Sequence, residues 1–121
     1  MDTDNSGGAI GTITTDANRR DFTINSLYVP LGCTDIIANI VDPTGQGKAD
    51  IENRQLRFIG QPARRILEDP LRVARFYRFL HTKNLVPHPG SLRAVRQNFN
   101  YAHNNTSPER WRVEIERMVG L

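Results

Sequence analysis

An acid and an arginine stand three positions apart in EDPLR, as Asp69 and Arg72, within a stretch that otherwise spells an amphipathic helix. On a first helical turn this spacing puts a carboxylate acceptor and a guanidinium donor on neighbouring positions. Facing outward together, they form a hydrogen-bonding edge. A carboxylate accepts from the exocyclic amino group that cytosine and adenine both carry, and the guanidinium donates to the ring nitrogen beside it. Uracil and guanine offer the opposite order, so such an edge rejects them. The plainer alternative is that Asp69 caps the helix and Arg72 pairs with Glu68 or Asp69 within one turn. A second juxtaposition of charge, Arg19, Arg20 and Asp21 in RRDFTIN, lies well upstream.

The 121 residues are enough to bury a modest core without disulfide or metal staples. Sixteen Lys+Arg against 13 Asp+Glu leave a net charge of only +3, with no polybasic tail. Lys48 and Lys83 are the only lysines, so the cation of choice is arginine, the fork that meets carboxylate, phosphate or a base edge bidentately. Cys33 is the single cysteine, which excludes an internal disulfide and favours a reducing, cytoplasmic setting. No apolar run is long enough to cross a bilayer, and MDTDNSGG lacks the features of a signal peptide, so no membrane partner is expected.

The elements that must position these groups divide the chain in two. Ala9 to Thr15 reads as a strand, Asp16 as the cap of a helix from Ala17 to about Leu27 that buries Phe22, Ile24 and Leu27. SLYVP and DIIANIV read as an antiparallel hairpin, Asp42 to Asp50 as a turn-rich connector, and Leu56 to Ile59 as a short apolar run. From Pro62 the spacing turns helical and no strand pattern returns. Asp69 and Pro70 signal a helix start, with Leu71, Ala74, Tyr77 and Leu80 as its apolar stripe and Arg72, Arg75 and Arg78 beside it. Further helices are expected from about Ser91 to Ala102 and, after the Ser107 cap, from Pro108 to Val119, stopped by Gly120. The expected fold is α+β: a small antiparallel β portion over residues 1–60, then a helical region over 61–121. His81, His88 and His103 lack metal-ligand spacing and read as surface residues, and Trp111 reads as core.

The series RRDFTIN, IVDPTGQGKADI and LRFIGQPARRILEDPLRVARFYRF, in that order, closely resembles the class II tRNA nucleotidyltransferase and bacterial poly(A) polymerase family. There an RRDFTINA element precedes a DP-G-G-DL connector, an LR-hydrophobic-G-P-R segment and EDPLRxLRxxRF. SPERWRVEIERM likewise resembles the SPERIRxEL helix of the same proteins. The resemblance implies a nucleotidyltransferase head followed by a helical neck. Arg20 and Asp21 match the pair that contacts the sugar of the incoming nucleotide, and Asn25 helps hold that pair or the nucleotide. Asp69 and Arg72 match the residues that template C or A, with Glu68 in support; Arg75 braces the site or meets phosphate. Asp42, Gly45 and Gly47 match the connector that lets head and neck shift, although Ser26 and Gln46 depart from the family pattern. Mg2+, ATP or CTP, and the 3′ end of tRNA or another RNA are the implied cofactor, substrates and partner.

The family's catalytic strand, with its Asp-x-Asp metal site, comes well before RRDFTIN. Asp2 and Asp4 have that spacing but lie in a polar stretch with no strand alternation. The expectation is therefore that no catalytic or metal residue is present and that the metal-binding half is absent. Two functions follow: a nucleotidyltransferase homologue inactive until a partner supplies the carboxylates, or a non-catalytic nucleotide- or RNA-binding module. Removing strands from a sheet exposes an edge, so a homo-oligomer or a complex with a complementary catalytic half is expected.

Overall fold

A computed structural model describes residues 15–32, 34–36 and 38–121. The expected strand from Ala9 lies almost wholly outside them, as do Asp2, Asp4 and Cys33. The elements are a helical stretch at 15–19, a 3₁₀ turn at Thr23–Asn25, α1 (Gly47–Glu52), β1 (Gln55–Leu56), α2 (Pro62–Glu68), α3 (Arg72–Thr82), β2 (Val86–Pro87), α4 (Pro89–Gln97), α5 (Phe99–Asn104) and α6 (Pro108–Val119).

The α+β character stands, but the β portion differs from the expected hairpin. β1 and β2 pair in parallel, Gln55 opposite Val86 and Leu56 opposite Pro87. Parallel neighbours need a crossover, and α2 with α3 supplies it. The strand is invisible in the sequence because it is two residues long and ends in a proline that cannot donate to a ladder. Among the described residues, antiparallel contact takes the form of isolated bridges, Tyr28 with Val41 and Phe22 with Phe58.

The Phe22 bridge also explains why the helix expected through Leu27 stops at Arg19. Phe22 is extended, at φ −117° and ψ 150°, and its ring lies 5.1 Å from Phe58. Tertiary burial overrides helical propensity here. Asp16 lies inside the helical stretch at 15–19, and its carboxylate takes Arg20 at 3.1 Å and the Tyr28 hydroxyl. Those two donors, Tyr28 first, hold Asp16 below the usual carboxylate range.

The connector is a helix as well as a turn. Asp42 accepts from the N–H groups of Gly47 and Lys48, both at 3.1 Å, and so caps α1. Gly47 allows close approach, since a Cβ there would meet the Thr23 carbonyl at 2.7 Å. Across this joint Thr23 Oγ1 donates to Asp50 at 2.6 Å, and Asp50 pairs with Arg57 at 3.0 Å.

Phe22, Leu56, Phe58, Ile66, Val73, Phe76, Val95 and Ala102 form one core drawn from both halves of the chain. Phe58 and Phe76 stack at 5.4 Å. Each such ring contributes on the order of 2–3 kcal/mol by leaving water. The helix expected over 91–102 breaks at Asn98, whose side chain turns back to the Ala94 carbonyl at 2.8 Å. The last helix is as expected: Ser107 accepts from Arg110 N–H, and Gly120 closes it at φ 83°.

Candidate functional site

Pro70 shapes the centre of the site. A residue before proline is disfavoured in the α region, and Asp69 is extended at φ −149° and ψ 99°, so α2 ends at Glu68. Asp69 is thus the residue that closes one helix and the pivot into the next. The turn closes by i→i+3 bonds, Arg72 N–H to the Asp69 carbonyl and Val73 N–H to the Pro70 carbonyl, before regular helix begins at Arg72. This corrects the expectation that Asp69 and Pro70 open the helix directly, although the Asp69 carboxylate still takes a cap-like bond from Leu71 N–H at 3.2 Å.

The side chains of Asp69 and Arg72 do not pair with each other. Arg72 Nη1 donates to the Arg65 carbonyl at 2.9 Å and to Glu68 Oε1 at 3.1 Å, and Nη2 donates to the Arg19 carbonyl at 3.0 Å. A guanidinium has five N–H donors. Arg72 therefore keeps its Nε–H and one Nη2 hydrogen without an acceptor among the described residues. Asp69 Oδ2 faces Arg110 Nη2 at 3.3 Å, and the side chain is 36% exposed.

Both residues line an open cleft of about 320 Å³, together with Arg19, Arg20, Asp21, Asn25, Leu71, Arg75 and Arg110. Six of the seven residues marked in the sequence converge there; Glu68 stands behind, touching the lining through Arg72 and pairing also with Arg65. Asp21, also in the lining, is nearly buried. Its Oδ1 accepts from Phe22 N–H and Asn25 Nδ2, each at 2.9 Å, and its Oδ2 from Arg75 Nε at 2.5 Å. Arg75 is thus a brace on Asp21, which the sequence had left open between bracing and phosphate contact. Arg20 reaches the Asn25 carbonyl at 3.4 Å and lies over the Tyr28 ring at 5.5 Å.

Five guanidiniums against two carboxylates give the cleft a cationic lining suited to an anionic ligand that also carries a hydrogen-bonding edge. Sequence reasoning passed over Arg110 as a site residue. SPERWR marks a helix start, but nothing local says that this start faces Asp69. That follows from α6 packing on α3, with Arg78 Nε on Glu114 Oε1 at 2.5 Å, both side chains largely buried.

The divalent metal implied by the resemblance does not fit these carboxylates. Asp21 has at most one lone-pair direction left, Asp69 faces an arginine, and no cluster of three His, Cys, Asp or Glu exists among the described residues. No helix among them is long and apolar enough to cross a membrane.

Comparison with known proteins shows the class to which the fold belongs, the nucleotidyltransferases. The Poly A polymerase head domain family matches residues 2–57. CCA tRNA nucleotidyltransferase 1, mitochondrial, of Danio rerio is 37% identical over 107 residues, which cover 86% of this chain and 23% of that protein. A CCA-adding enzyme of Streptococcus suis is 37% identical over 102 residues, covering 84% and 22%. The crystal structure of the Bacillus stearothermophilus CCA-adding enzyme in complex with CTP aligns with a TM-score of 0.78 at 31% identity, covering 89% of this chain and 26% of that one. The chain belongs to the tRNA nucleotidyltransferase family built on this head domain. It spans less than a quarter of the length of these two curated relatives.

Proposed function

We propose that the cleft receives a ribonucleoside triphosphate, CTP or ATP, for addition to the 3′ end of tRNA or a related RNA. The observation that carries this reading is that Asp69 and Arg72 line one open cleft, their side chains each tied to other partners and not to each other. The Asp69 carboxylate accepts from the amino group of C or A, and a spare Arg72 N–H donates to the adjacent ring nitrogen. Glu68 and the Arg65 carbonyl hold the Arg72 fork from behind. Asp21, fixed by Arg75 and Asn25, keeps a lone pair for the 2′-hydroxyl, while Arg19 and Arg20 answer the phosphate charge.

In this reading residues 1–60 belong to the head and 61–121 to the neck, with the boundary near Gly60 at φ 68°. The carboxylates that hold Mg2+ for the transfer come from outside the described residues. Val29, Leu31, Ile36 and Val41 expose apolar side chains along one stretch, which a complementary catalytic half or a second copy would cover.

Calorimetric titration of the chain with CTP, ATP, UTP and GTP tests the pocket. CTP and ATP are expected to bind roughly tenfold more tightly than UTP and GTP, the worth of one hydrogen bond to a charged group. Asp69→Ala and Arg72→Ala are each expected to remove that preference. Equal binding of all four nucleotides to the unaltered chain overturns the reading.

A further inference from the structure

We propose that Arg110 is a positioning residue for base selection, holding the Asp69 carboxylate in the one orientation that admits an amino-bearing base. The inference rests on the nucleotide-binding reading above and extends it to a residue forty-one positions away on another helix.

A carboxylate on an extended residue before proline turns freely about its side-chain torsions unless both oxygens are engaged. Asp69 has both engaged: Oδ1 by Leu71 N–H at 3.2 Å and Oδ2 by Arg110 Nη2 at 3.3 Å. The first contact comes from its own turn and fixes one oxygen; only the second fixes the plane. Arg110 is delivered by a rigid support. Its backbone N–H is held by the Ser107 cap at 3.3 Å, and α6 is registered on α3 by the Arg78–Glu114 pair, whose side chains are only 16% and 5% exposed. The guanidinium itself is 55% exposed and lines the cleft, so it approaches Asp69 from the open side without entering the core. With about two lone-pair directions left on Asp69, the carboxylate still accepts from an incoming amino group. Without Arg110 it swings, and an edge that offers a carbonyl in place of an amino group is rejected less strongly.

The test is nucleotide binding by Arg110→Ala and Arg110→Lys, each alone and combined with Asp69→Ala, with thermal melting as a check on folding. Arg110→Ala is expected to reduce the CTP-to-UTP preference by about three- to tenfold, chiefly by strengthening UTP relative to CTP. Arg110→Lys, a point charge able to keep one contact, is expected to restore part of it. In the Asp69→Ala background the Arg110 substitution is expected to change the preference no further. An unchanged preference in Arg110→Ala, while Asp69→Ala abolishes it, overturns the proposal and leaves the parent reading intact. Equal weakening of all four nucleotides overturns it too, and makes Arg110 a phosphate contact. No preference in the unaltered chain removes both.

Discussion

Two acid–arginine pairs line the cleft, and they are built differently. Asp21 and Arg75 meet at 2.5 Å with the acid 6% exposed, and a backbone N–H and Asn25 take two more acceptor positions, which leaves about one. Asp69 and Arg110 meet at 3.3 Å with both side chains more than a third exposed. A buried carboxylate with three donors on it is held firmly, because removing it strands those donors in a dry place. An exposed pair contributes little to stability and is free to exchange partners with a ligand. One wall of the cleft is fixed and the other is readable.

The largest expected effect follows from breaking the fixed wall. Asp21→Ala leaves Arg75, Asn25 Nδ2 and Phe22 N–H without an acceptor and is expected to cost about 3–5 kcal/mol in denaturant unfolding. Asp69→Ala removes two exposed contacts and is expected to cost no more than about 1 kcal/mol while abolishing base preference. Equal losses for the two variants would erase the contrast. The smallest effect lies away from both acids. Desolvation, then the Arg57 charge, holds His88 below the ordinary imidazole value, and its neutral Nδ1 accepts the α4 cap bond from Ser91. A depressed histidine binds its proton more readily in the unfolded chain, so its contribution is whole above about pH 6.5 and falls as pH drops toward the folded value. His88→Asn keeps a capping acceptor that does not titrate, and is expected to flatten melting temperature against pH between about 8 and 5.

Local signals explain which features were legible in the sequence. Ser107 and Gly120 bound the last helix because a cap and a left-handed stop act within one turn. The convergence of Arg20, Asp21, Asn25, Asp69, Arg72 and Arg75 was legible through the ordered motifs that contain them. What escaped depends on distant partners. Phe22 leaves the helix to meet Phe58, Val86 becomes a strand only beside Gln55, and Arg110 reaches Asp69 only because α6 lies on α3. Asn98 carries no proline or glycine, so its break in the helix had no local marker.

The most direct measurement of the central claim is the structure of the chain with bound CTP. The account predicts the cytosine amino group within about 2.7–3.2 Å of the Asp69 carboxylate and the ring nitrogen beside it at the same distance from Arg72. A cytosine seated elsewhere, away from the Asp69 carboxylate and with Arg72 turned wholly to Glu68 and the carbonyls of Arg19 and Arg65, would contradict it.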